Sequence, residues 1–184
     1  MDGGPDGVDG GPDRHVTEPV GALRAVEPLP DVGALPAVGS AAPAFALTGT
    51  HGAPVTLADL AGRPALLVFV PFAFSRTCTS ELGDLQSGLP ELTAAGVRVL
   101  AISCDPMFAL RAWAEQDGYT FDLLSDFWPH GAAARAYGVL DESAGFARRG
   151  SVLLDAGGVV RWTLLHAGGR ARPFAAYREA LATL

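Results

Sequence analysis

Two apolar runs constrain this chain more than anything else in it. Ala65–Val70 reads ALLVFV and Val97–Ser103 reads VRVLAIS. A continuous apolar run of that length marks a strand covered on both faces. Between the two runs, Leu82, Leu85, Leu89 and Leu92 recur three or four residues apart, which is the period of an amphipathic helix. Strand, helix over residues 79–95, strand predicts a parallel βαβ unit. Pro90 is expected to kink or interrupt its helix.

The flanking segments complete the pattern. Phe45–Leu47 and Val55–Leu57 surround the turn signal His51-Gly52, a predicted hairpin. After the second buried strand come a helix over 107–117, a short extended piece at Asp122–Ser125 and a short helix over 131–137. Ser151–Asp155 and Val159–Leu165 flank Ala156-Gly157-Gly158, an antiparallel hairpin, and residues 173–184 form a closing helix. The order predicts an α/β fold with a central mixed sheet flanked by helices. A parallel βαβ unit followed by an antiparallel ββα unit is the thioredoxin-like arrangement.

Composition divides the chain into two parts. Residues 1–35 are rich in Gly, Pro and Asp and carry seven acids against two arginines. Such a segment buries too little apolar surface to offset its ordering, so a flexible tail is expected, followed by one domain over 36–184. The remainder holds 13 acids against 11 arginines, so the net charge of −7 is mostly local. No basic footprint for nucleic acid exists. The chain is 49% apolar, enough for a core, yet no run approaches the roughly 20 residues of a membrane span. The opening MDGGPDGVDG has neither the basic nor the apolar region of a secretory signal, and a cytoplasmic protein is expected.

The chain has two cysteines, Cys78 and Cys104, and no C-x-x-C. That excludes a dithiol redox motif, a zinc ribbon and a secreted disulfide scaffold. The four histidines, His15, His51, His130 and His166, show no metal-ligand spacing.

Cys78 stands in the segment Pro71-Phe-Ala-Phe-Ser75-Arg-Thr-Cys78-Thr-Ser-Glu81, which follows a buried strand and opens a helix. A thiolate, not a thiol, attacks electrophiles. Free N–H groups and the macrodipole at a helix N-terminus favour the anion. Ser75 or Thr77 is placed to supply a hydroxyl, and Arg76 is expected to face solvent. The carboxyl edge of the sheet is where α/β proteins place their sites. A buried structural cysteine is the competing reading.

Pro71-x-x-x-Ser75-x-x-Cys78 resembles the peroxiredoxin signature of Pro, three residues, Thr or Ser, two residues, Cys. Arg149-Gly-Ser-Val-Leu-Leu-Asp155 is similar to the family's arginine ahead of a late strand ending in Asp. Ser125–Val139 (SDFWPHGAAARAYGV) and the FAF-S-x-x-C stretch most resemble the AhpE-type, one-cysteine-like branch. The resemblance covers residues 36–184. It implies Cys78 as peroxidatic nucleophile and Ser75 as the hydroxyl that holds thiolate and peroxide. It implies Arg149 as the cation that stabilises both, Pro71 as the shield of the sulfur, and Glu81 as the acid that orients the arginine. No cofactor is required, because sulfur carries the two-electron chemistry by becoming a sulfenic acid.

The implied activity is reduction of hydrogen peroxide and organic hydroperoxides. The implied partners are an external thiol reductant (mycothiol- or mycoredoxin-like, or thioredoxin) and a second copy of the chain in a homodimer. A peroxide-responsive sensor signalling through Cys78 oxidation is the alternative function.

This chain also departs from the family. Gly83 occupies the position of a resolving cysteine found in some relatives, Ser75 replaces the commoner threonine, and Ala44 stands where an acid is usual. Cys104 ends a strand at the same sheet edge, either as a packed strand residue or as an intramolecular resolving thiol. Trp113, Phe127 and Trp128 read as core or interface aromatics, and Phe72 and Phe74 as pocket walls. His130 reads as a helix cap and Arg148 as a solvated neighbour of Arg149.

Overall fold

The computed structural model describes Met1, Gly3, residues 33–166 and residues 170–184. Most of the expected Gly/Pro/Asp-rich tail lies outside the described residues. Leu35, at its end, packs against the core of the domain.

The strands are β1 (Ala46–Gly49), β2 (Pro54–Thr56), β3 (Ala65–Phe69), β4 (Arg98–Ser103), β5 (Asp122–Ser125), β6 (Leu140–Asp141), β7 (Phe146–Ala147), β8 (Gly150–Leu154) and β9 (Val160–Leu165). The helices are α1 (Arg76–Ala94), α2 (Met107–Asp117), α3 (Ala132–Ala136) and α4 (Phe174–Leu181), with one 3-10 turn at Leu57–Leu60. Seven strands form one sheet in the order β2-β1-β5-β4-β3-β8-β9, and β6-β7 make a separate small hairpin. β3 pairs parallel with β4 and antiparallel with β8, so Leu67 lies between Leu100 and Val152. The expected βαβ unit and terminal hairpin are both present, and the sheet is mixed.

Strand periodicity sorts the core into two faces. Leu67, Phe69, Leu100, Ile102 and Val152 pack with Tyr137 and the α3 alanines on one side. Leu66, Val68, Val70, Val99 and Ala101 pack on the other, under Leu82 and Leu85 of α1, Trp113 of α2 and Tyr177 of α4. α1 and α4 meet at Gly88, where an added Cβ would fall about 2.0 Å from the Phe174 ring. A larger residue at 88 would have to push the Phe174 ring aside. No helix among the described residues is long and apolar enough to cross a membrane.

Two helix expectations need correction. Pro90 does not interrupt α1, which runs unbroken to Ala94. Burial of Leu85 and Leu92 on either side of it holds the helix together despite the missing N–H. And α1 begins at Arg76, a turn earlier than the apolar period indicates, because its first turn carries no leucine and is set instead by the Ser75 cap.

Candidate active site

The site begins where β3 ends. Val70 N–H donates to Ile102 O at 2.9 Å, the last rung of the strand. The chain then crosses Pro71 and reaches Phe74, whose φ of 59° lies in the left-handed region. A non-glycine residue there costs about 1–3 kcal/mol and persists only where its surroundings enforce it. Ser75 returns to an extended conformation and caps α1: its Oγ accepts the Cys78 N–H at 3.4 Å, and its C=O accepts Thr79 N–H at 2.9 Å. Cys78 is thereby fixed in the first helical turn. In that bond the Ser75 Oγ is the acceptor, so the bond does not use its O–H.

Arg149 reaches the sulfur from the opposite direction. It precedes β8, the antiparallel neighbour of β3, and its Nη2 donates to Cys78 Sγ at 3.4 Å. Its Nη1 is paired with Glu81 Oε2. Glu81 lies one turn beyond Cys78 on α1, and its side chain is 3% exposed. The structure brings Cys78, Ser75, Arg149 and Glu81 together, and Pro71 lines the adjoining cavity.

Arg172 is the member that sequence reasoning missed. Its side chain is fully buried. Its backbone N–H and Nε donate to Glu81 Oε1 at 2.7 and 3.1 Å, and its Nη2 to Oε2 at 3.3 Å. Nη1 closes the network on Gly150 O at 2.7 Å and Ser151 Oγ at 3.0 Å. Nothing in the local sequence separates Arg172 from Arg170; only its place just before Pro173 and α4 hints at an anchored residue. Two guanidinium groups and one carboxylate leave this buried cluster one positive charge in excess, which a thiolate at Cys78 would balance. Removing the carboxylate would strand two buried cations, a loss of about 3–5 kcal/mol for a broken buried pair.

A cavity of about 740 Å³ opens beside the cluster, lined by Pro71, Phe72, Ser75, Phe146, Arg148 and Arg149, among others. Cys78 is 0% exposed and does not line it; Ser75 and Arg149, which do, both touch it. Phe72 packs at a tilt against Phe146, ring centroids 4.7 Å apart, and forms the apolar wall. Phe74 does not serve as a wall: its left-handed backbone turns the ring toward Trp113, 6.1 Å away. Arg148 is no solvated bystander either. It is half-buried in the cavity lining, with Nη2 donating to Gly138 O at 3.1 Å. Arg76 is exposed at the cavity edge. His130 does not cap α3; its Nε2 bonds to Gly145 O at 2.6 Å and ties down the β6–β7 turn. Trp113 is core, whereas Phe127 and Trp128 are exposed.

Cys104 is 7% exposed and belongs to the opposite face of the sheet from Cys78. Burial, reinforced by the Asp126 carboxylate, pushes its thiol up to about 11. It is neutral at physiological pH and has the sheet between itself and Cys78.

Comparison with known proteins identifies the family and the fold. The sequence model of the AhpC/TSA family matches residues 38–163. Alkyl hydroperoxide reductase E of Mycobacterium tuberculosis is 43% identical over 148 residues, 80% of this chain and 97% of that protein. Alkyl hydroperoxide reductase C of Staphylococcus aureus is 36% identical over 122 residues, 64% of each chain. Among solved structures, Enterococcus faecalis AhpC matches with a TM-score of 0.73 and 28% identity, over 79% of this chain and 90% of that one. Peroxidoxin BcpB of Mycobacterium tuberculosis matches with a TM-score of 0.70 and 26% identity, over 79% and 94%. These likenesses carry the thioredoxin-like fold.

Proposed function

Because this chain belongs to the AhpC/TSA family of peroxiredoxins and is a thiol-dependent peroxidase, we propose that Cys78 is its peroxidatic residue and that Ser75, Arg149, Glu81 and Pro71 serve it. The observation that carries this reading is the Arg149 guanidinium held on Cys78 Sγ at 3.4 Å by a buried carboxylate. The Cys78 thiolate attacks the terminal oxygen of a hydroperoxide. An S–O bond forms as the O–O bond breaks, sulfur loses two electrons to become a sulfenic acid, and the alkoxide or hydroxide leaves to take a proton. Charge grows on the departing oxygen, so donors must already point at it. Arg149 and the Ser75 hydroxyl are such donors, fixed before the substrate arrives. Glu81 orients Arg149, and Pro71 walls the sulfur from bulk water. The reading takes in hydrogen peroxide and organic hydroperoxides alike, since the attacked bond is common to both.

An external thiol completes the cycle in this reading. Gly83 cannot resolve the sulfenic acid, and Cys104 lies across the sheet as a neutral thiol. One reductant thiol condenses with the sulfenic acid to a mixed disulfide and water; a second releases Cys78. A mycothiol- or mycoredoxin-like system, or thioredoxin, would fill this role. A reducing cytoplasm suits two unpaired cysteines. The reading includes a homodimer, for which Phe108, 67% exposed, and Trp128, 82% exposed, are available as apolar contacts.

Steady-state peroxide consumption with a thiol reductant tests the function. Sustained turnover is expected. A single equivalent of oxidation followed by arrest would favour the sensor.

A further inference from the structure

The loop that carries Pro71 and Ser75 is held by a residue outside the peroxidatic cluster. Beyond Val70, the next anchor of this loop is Ala73 N–H, which donates to Asp105 Oδ2 at 2.7 Å. Asp105 lies in the turn between β4 and α2, and its own placement is tightly specified. Ser103 Oγ–H donates to the same Oδ2 at 2.7 Å, Asp105 N–H donates back to Ser103 Oγ at 3.0 Å, and Ser125 Oγ–H donates to Asp105 O at 2.6 Å. One residue thus ties together the ends of three adjacent parallel strands, β3, β4 and β5.

Ala73 immediately precedes Phe74, the left-handed residue, and Phe74 immediately precedes the Ser75 cap. A non-glycine residue keeps that conformation only while both flanks are fixed. The Ser75 cap on Cys78 N–H fixes one flank. The Asp105 carboxylate fixes the other.

We propose that Asp105 is a positioning residue for peroxide attack: its carboxylate holds the Pro71–Ser75 loop in the strained form that seats Ser75 on the first turn of α1, against Cys78. The proposal rests on Cys78 being the peroxidatic thiol. Asp105 touches neither Cys78 nor the cavity, so it acts through Ser75. The role needs an acceptor rather than a charge, because both bonds to the side chain are donated to one oxygen.

The test is stopped-flow oxidation of Cys78 by hydrogen peroxide in the full chain. If the parent does not oxidise at Cys78, the function reading fails before Asp105 is tested. Given an active parent, Asp105→Ala is expected to slow oxidation by about 10- to 100-fold, the scale of a small misplacement of reacting groups. Asp105→Asn retains an acceptor oxygen and should stay within about threefold of the parent. In a Ser75→Ala background, Asp105→Ala should add less than about threefold, since the group it positions is already gone. Iodoacetamide labelling separates this from unfolding: Cys104 should stay as protected in Asp105→Ala as in the parent. Should Asp105→Ala expose Cys104, Ser103→Ala takes its place. It removes only the hydroxyl that orients the carboxylate, and about a three- to tenfold loss is expected. An unchanged oxidation rate in the folded variant, equal losses in Asp105→Asn and Asp105→Ala, or multiplicative losses with Ser75→Ala would each overturn the proposal.

Discussion

Cys78 and Cys104 sit at the same carboxyl edge of the sheet, a strand apart, and both are buried. Their surroundings differ completely. Cys104 faces the side of Leu100, Ile102 and Tyr137; its burial, with Asp126 and Asp105 outweighing Arg135, holds its thiol high. Cys78 faces the α1 side, in the first turn of a capped helix, with Arg149 on its sulfur. Burial therefore does not decide reactivity. Burial among apolar groups and carboxylates silences a thiol. Burial against a guanidinium at the start of a capped helix is what the proposed reading requires of a reactive one.

The largest test of that contrast is to remove each sulfur in turn. Cys78→Ser is expected to abolish peroxide consumption, and Cys104→Ser to leave most of it. Equal losses would erase the distinction and promote Cys104 to a resolving thiol.

The next test removes what distinguishes the two sites. Arg149→Ala is expected to lose about 10²–10³ in oxidation rate, the value of one preorganised donor. The deficit should persist at a pH where the sulfur is anionic in both proteins, because in the proposed mechanism Arg149 also faces the oxygens as the O–O bond breaks. Arg148→Ala, with its guanidinium on Gly138 O, should stay within a few fold. Full rescue of Arg149→Ala by alkali would restrict the arginine to holding the thiolate.

A smaller effect comes from Cys104 itself. Its thiol is raised from 9.0 to about 11 in the fold. Between those pH values the unfolded chain has lost a proton that the folded chain keeps. The unfolded state then binds fewer protons, so stability is fully present below about 9 and falls as pH rises toward 11. The change is on the order of 2–3 kcal/mol. Chemical denaturation across this window should show the fall in the parent and a flatter profile in Cys104→Ser. Identical profiles would place the Cys104 thiol near its ordinary value.

The smallest effect is expected from the amino-terminal segment. Removing residues 1–32 keeps Leu35 on the core and should leave oxidation rate and melting temperature almost unchanged. A marked fall in either would show that those residues dock on the domain.

Much of this contrast was legible in the sequence. The two runs, β3 and β4, identify themselves, because a short strand covered on both faces is apolar at nearly every position. Pro71, Ser75 and Cys78 are close in sequence and act through local geometry, so their spacing survives into the structure. Even the face of Cys104 could be read: along β4 it shares parity with Leu100 and Ile102, while Val97, Val99 and Ala101 lie under α1. Arg172 and Asp105 were illegible for the opposite reason. Each works by long-range contact, Arg172 on Glu81 and Asp105 on Ala73, and an isolated arginine or aspartate in a turn carries no periodic signal. The β6–β7 hairpin escaped because strands of two residues are too short to show a period.

The most direct measurement is to oxidise the protein with one equivalent of hydrogen peroxide, trap sulfenic acid with dimedone, and identify the state of each cysteine by mass spectrometry. The dimedone adduct is expected on Cys78, with Cys104 recovered as a free thiol. A Cys78–Cys104 disulfide, or an adduct on Cys104, would contradict the assignment of the two faces.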